Sequence, residues 1–272
     1  MERIKLAIEK ARQTAQQAHA GQTRVLAPPP AAPQGVTEGA PLVPGRTHVL
    51  DPKHLMAHRI VAFQRLGPWR LPFDLLRTQV LQKMQENGWK TLAVTSPSMH
   101  SGKTLVAINL AMTIAHHPDH HAVLVDFDLR RPSIGAYLGI ESGPSLYDVF
   151  AGQAELEQAV VDVGMPKLSV IPTERAVPGA AEVLGSARAT QLIERIKTTA
   201  PGGITVFDLP PVVAVDDVIA VLPKIDCVLM VVANGMSTKR EIHESQRHLD
   251  RANVIGYVLN KANVAAPVRD YY

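Results

Sequence analysis

A loop of nine residues, Ser96-Pro97-Ser98-Met99-His100-Ser101-Gly102-Lys103-Thr104, joins one aliphatic run to the next. Its residue types suit phosphate. The backbone N–H groups of such a loop, followed by a helix N-terminus, present donors and positive partial charge to an anion. Gly102 allows close backbone approach, Lys103 supplies a positive charge to β- and γ-phosphates, and Thr104 offers a hydroxyl to Mg²⁺. The usual pattern G-x-x-x-x-G-K-[ST] opens on glycine, where this chain has Pro97. The expected nucleotide-binding residues here are Ser98, Met99, His100, Ser101, Gly102, Lys103, Thr104 and Leu105.

Two carboxylate motifs follow. The run VLVDFDLR (123–130) ends an apolar stretch in Asp126 and Asp128, which strand alternation puts on one side. Two carboxylates so close call for a cation, and nucleotide-bound Mg²⁺ meets that need. The run ITVFDLPP (204–211) ends a second apolar stretch in Asp208, which suits metal binding opposite the lysine and threonine of a phosphate loop.

These motifs need a scaffold. Strand patterns at 91–96, 122–128, 168–172, 204–210, 227–233 and 254–260 alternate with helical patterns at 104–117, 190–200 and 239–252. Such alternation predicts an α/β fold with a doubly wound, mostly parallel sheet, which binds ligands beyond the carboxyl ends of its strands. A helix over 74–87 precedes the series, with Leu75, Leu76, Val80, Leu81 and Met84 inward. Residues 1–24 read as a thin amphipathic helix, 25–57 as a proline-rich linker, 58–265 as the P-loop domain and 266–272 as a tail carrying tyrosines.

Composition agrees. Of 272 residues 46 % are hydrophobic but only 4 % aromatic, so aliphatic side chains must fill the core. The net charge of +3, with no long basic run, gives no pointer to nucleic acid. The single cysteine, Cys227, lies in an apolar run and excludes a disulfide framework. No apolar stretch is long enough to span a bilayer. The group His116, His117, His120 and His121 reads as a solvated turn, and Trp69 and Trp89 read as packing residues.

On these motifs the chain resembles the bacterial tyrosine kinases of capsule and exopolysaccharide export, which are P-loop proteins of the partition-ATPase and MinD-like class. VLVDFDLR matches their aliphatic D-x-D-x-R signature, and ITVFDLPP their aliphatic D-x-P-P signature. Residues 75–96 and AVPGAAEVLGSAR (176–188) are similar to the exosortase-associated branch, and the sequence closes on Arg269-Asp270-Tyr271-Tyr272, where the family carries its tyrosine cluster. The resemblance covers about residues 58–272 and implies an ATP- and Mg²⁺-dependent autokinase that phosphorylates Tyr271 and Tyr272 in trans within a ring. Lys103, Asp126 and Asp128 would be catalytic, with Asp126 the base or orienting group for the tyrosine hydroxyl. Thr104, Asp128 and Asp208 would serve the metal. Arg130 would lie at the nucleotide and Asn260 on the adenine. The implied partner is a membrane-spanning polysaccharide co-polymerase, which would hold this cytoplasmic protein at the inner face of the plasma membrane. The chain departs from the family at Pro97, Met99 and His100. In its E-x-x-R-x-x-R helix only the last arginine is kept, as Arg77, with Leu71 and Asp74 at the other two positions. Two further readings fit the motifs: a MinD-like ATPase switch, and a degenerate nucleotide-binding module.

Overall fold

The computed structural model describes residues 43–65, 67, 69–199 and 203–262. The expected N-terminal helix, most of the proline-rich linker and the tyrosine tail lie outside them.

The described chain opens with β1 (Arg46–Thr47), α1 (Pro52–Ala57), α2 (Leu71–Asn87), β2 (Thr91–Thr95), α3 (Lys103–Ala115) and β3 (His121–Asp126). Three short helices follow, α4 (Ile134–Leu138), α5 (Leu146–Ala151) and α6 (Leu156–Ala159), then β4 (Val161–Asp162) and β5 (Leu168–Ile171). The remainder is α7 (Ala180–Gly185), α8 (Ala187–Thr199), β6 (Gly203–Asp208), α9 (Asp217–Val221), β7 (Cys227–Ala233), α10 (Lys239–His248) and β8 (Val254–Asn260). One sheet takes the order β1-β4-β5-β3-β6-β2-β7-β8. Every pairing is parallel except β4 with β5. The expected doubly wound, mostly parallel sheet is therefore what forms.

The central strands are aliphatic throughout because helices cover both faces, so no position is left for solvent. All five residues of β2 and all six of β6 are buried. α2 and α3 close one face, where Val80, Met84, Ile108 and Met112 pack on Leu92, Leu124 and Val206. On the other face Phe127 and Phe207 stack at 4.8 Å among Ile193, Ile196 and Val228. Cys227 is buried in β7, and burial pushes its thiol up to about 12.

Three expectations need correction. The linker does not run to residue 57. Arg46 and Thr47 pair with β4, Asp51 caps α1 by accepting from Lys53 N–H at 2.9 Å, and Leu55 is fully buried. The buried Asn109 fixes the next stretch, its Oδ1 accepting from Val61 N–H at 2.8 Å and Ala62 N–H at 3.0 Å. Second, Leu75 faces outward at 58 % exposure, because the side of α2 that carries Asp74 and Arg77 is the one turned to the end of α3, where Arg77 Nη1 donates to the Thr113 carbonyl. Third, Trp69 is 73 % exposed, whereas Trp89 does pack against the core.

Candidate nucleotide and phosphoryl-transfer site

β2, β3 and β6 are neighbours, so their carboxyl ends bring the three sequence motifs to one edge of the sheet. The connections beyond them are stitched together. Thr95 Oγ1 donates to the Pro210 carbonyl at 2.6 Å, and Val212 N–H donates to the Ser96 carbonyl at 2.9 Å. Gly102 takes a left-handed conformation (φ 87°) as the residue that opens α3. Ser96 and Ser101 each donate a hydroxyl to the Ser98 carbonyl at 2.8 Å, which folds the loop back on itself. Glu241 accepts from Thr238 N–H in the cap of α10 and also bonds Ser98. Asn260, the last residue of β8, donates Nδ2 to the Ser101 carbonyl at 2.9 Å.

Lys103 reaches back over the start of α3 into the carboxylates. Its Nζ lies 2.8 Å from Asp128 Oδ2 and 3.4 Å from Asp208 Oδ1. Thr104 Oγ1 donates to Asp208 Oδ2 at 2.5 Å. Burial works to lower the Lys103 pKa, but the fields of Asp208 and Asp128 outweigh it and hold the ammonium charged. Asp208 is fully enclosed, and that burial raises its carboxyl above the ordinary range although Lys103 and Thr104 pull the other way. Asp126 is pushed well up by burial and by Asp208. Its Oδ2 accepts the N–H groups of Ser133 and Ile134, each at 2.9 Å, whereas its buried Oδ1 has no partner. Among the described residues the arrangement sets a loop that opens on a helix N-terminus beside one cation and three carboxylates that share too little positive charge.

Most of the expected residues converge there. Met99 is 46 % exposed on the loop crest, with its sulfur 3.0 Å from Arg131 Nη1. His100 beside it holds φ 61°, which is unusual for a non-glycine residue. Leu105 points into the helix layer and packs on the core. Arg130 is turned to α9, where Nε and Nη2 each meet a carboxylate oxygen of Asp217 at 2.9 Å and Nη2 also reaches Asp216 at 3.2 Å. Tyr271 and Tyr272 lie outside the described residues.

The sequence reading missed Asp217, which is fully buried and answers Arg130, and Ser133, whose hydroxyl is 3.3 Å from Thr104 Oγ1. It gave Ser96 no role in holding the loop, and it missed Glu241, the fourth residue of a Thr-x-x-Glu capping box that was legible as such.

Comparison with known proteins agrees with this geometry. No protein-family model matches the chain. The putative tyrosine-protein kinase EpsB of Ralstonia nicotianae is 34 % identical over 179 residues, which are 66 % of this chain and 23 % of EpsB. The tyrosine-protein kinase CpsD of Streptococcus pneumoniae is 27 % identical over 179 residues, 65 % of this chain and 78 % of CpsD. The chain thus spans about a quarter of EpsB but most of the shorter CpsD. Among solved structures, the kinase domain of Escherichia coli tyrosine kinase ETK superposes with a TM-score of 0.66, covering 82 % of this chain and 93 % of that domain at 24 % identity. MinD of Pyrococcus horikoshii, solved with Mg-ADP, shares the fold at a TM-score of 0.52 and 19 % identity, over 62 % of this chain and 69 % of MinD. Carboxylate motifs, sheet order and relatives converge: over about two thirds of its length the chain is similar to bacterial tyrosine-protein kinases, and it has the fold that the ETK kinase domain shares with MinD.

Proposed function

We propose that this protein is an ATP-dependent protein-tyrosine kinase that transfers the γ-phosphoryl group of ATP to tyrosine hydroxyls, Tyr271 and Tyr272 among them. The carrying observation is the Lys103–Asp128–Asp208–Thr104 cluster, which joins a phosphate-binding lysine to the carboxylates of both motifs. Phosphoryl transfer is mainly positioning and charge neutralisation, and the cluster supplies both. Thr104 and Asp208 fit Mg²⁺, and the partnerless Oδ1 of Asp126 is a buried acceptor that suits a metal-bound water. When bound, Mg²⁺ would neutralise charge on the β- and γ-phosphates.

The remaining roles fall to the chain itself. Lys103 exchanges Asp128 for phosphate oxygens as nucleotide enters. Asp128 then lies at the opening with its carboxylate released. The tyrosine oxygen bonds to the γ-phosphorus, the bond from that phosphorus to the bridging oxygen breaks, and the phenolic proton passes to Asp128. Asp126, enclosed and anchored on two backbone N–H groups, suits orientation better than proton transfer. Arg130 supports the site by tying the loop after β3 to α9.

The resemblance carried by VLVDFDLR and ITVFDLPP favours a role in exopolysaccharide or capsule synthesis, and residues 75–96 and 176–188 favour the exosortase-associated branch within it. The resemblance points to a membrane-spanning co-polymerase that would activate the protein and hold it at the inner membrane face; no described helix is long and apolar enough to cross a bilayer. Incubation with Mg-ATP should yield phosphotyrosine in the native protein and none in Lys103→Ala. Steady ATP hydrolysis with no phosphoprotein, even with the activator present, would refute the kinase and support a MinD-like switch.

A further inference from the structure

The phosphate loop begins with Pro97 where a flexible glycine is usual, yet its peptides must still turn their N–H groups toward the ligand. A trans peptide holds C=O and N–H on opposite sides, so whatever grips the carbonyl aims the following N–H. All peptide bonds of the described chain are trans. The Ser98 carbonyl is gripped by the hydroxyls of Ser96 and Ser101. The Ser101 carbonyl is gripped from outside the loop by the Asn260 amide at 2.9 Å. Asn260 is itself fixed, because its carbonyl accepts from Asn234 N–H at 2.9 Å. The same side chain closes the space beside Gly102, where an added Cβ would run into Asn260 Nδ2.

We propose that Asn260 is a positioning residue for the phosphate cradle: by holding the Ser101 carbonyl toward β8 it aims the Gly102 N–H at the bound phosphates. This rests on the nucleotide-binding reading above, and it gives Asn260 a different task from contact with adenine. The side chain must be a donor of this length. Aspartate would set a carboxylate against a carbonyl, and alanine would leave the carbonyl unheld.

The test compares ATP with inorganic tripolyphosphate, which carries the phosphates but no adenine. Affinities of both are measured by calorimetry for the native protein, Asn260→Asp and Asn260→Ala, with thermal melting as the check on folding. If either variant fails to fold, the other carries the comparison. The expected result is a loss of about tenfold for both ligands alike, the size of one hydrogen bond to a charged-ligand cradle, at unchanged melting temperature. A loss confined to ATP would overturn the proposal in favour of an adenine contact, and unchanged affinity for both would overturn it outright. Failure of the native protein to bind either ligand would instead refute the nucleotide reading, and the positioning role with it.

Discussion

Replacing Lys103 by methionine keeps the volume of the side chain but removes the one cation that faces three carboxylates. Lys103 Nζ lies 2.8 Å from Asp128 and 3.4 Å from Asp208, and all three side chains are nearly or wholly buried. At an effective dielectric of about 20 each contact is worth about 5 to 6 kcal/mol before the cost of burying the ammonium. The protein can avoid most of that loss by protonating a carboxyl, and the pH decides how costly this is. Folded-state carboxyls raised above their unfolded value, near 3.9, bind protons that the unfolded chain releases. Stability is therefore greatest below the unfolded pKa and falls as pH rises toward the folded pKa. In the native protein this already holds for Asp126 and Asp208, both raised. Lys103→Met removes the cation whose field opposes that rise at both carboxyls. Each further unit by which they rise adds about 1.4 kcal/mol to the destabilisation at a pH above them, so the cost of the substitution is larger at pH 8 than at pH 5. Urea unfolding of the nucleotide-free protein at pH 5 and pH 8 measures it. The same destabilisation at both values would refute the electrostatic account of the cluster.

Arg130→Ala should destabilise the fold by about 3 kcal/mol, because it leaves the fully buried Asp217 carboxylate unpaired; a double variant that also carries Asp217→Asn should recover part of the loss in the same urea titration. His116 is held down to about 4 by burial and by Arg70 and Arg65, whereas the unfolded chain protonates near 6.5. Its contribution is thus complete above pH 6.5 and is lost as pH falls toward 4, so His116→Gln should flatten the acid limb of stability against pH, measured by thermal melting. Gly102→Ala should abolish ATP binding in calorimetry, since the left-handed φ and the contact with Asn260 both exclude a Cβ.

The long aliphatic strands were legible because burial on both faces leaves no ambiguity of pattern, and β7 and β8 fall on the expected residues. The three motif carboxylates were legible for the same reason: each ends such a run. What was not legible depends on contacts remote in sequence. The antiparallel β4 is two residues long and carries no periodicity. The lead-in over residues 46–62 is fixed by pairing with β4 and by Asn109, neither visible in a local window, although the helix-start signal Asp51-Pro52 lay inside the stretch assigned to the linker and was passed over. Asn260 was singled out, but only tertiary structure brings its amide to the Ser101 carbonyl, and only tertiary structure matches Arg130 with Asp217.

The central claim is that the Lys103 cluster drives phosphoryl transfer to tyrosine. Its most direct test is mass spectrometry of the peptide carrying Tyr271 and Tyr272, after incubation of the full chain with Mg-ATP, with and without a co-expressed membrane-spanning co-polymerase of the kind proposed. The account predicts one or more phosphates on those tyrosines in the native protein and none in Lys103→Ala. An unmodified peptide in every condition, from a protein that still binds ATP, would contradict it.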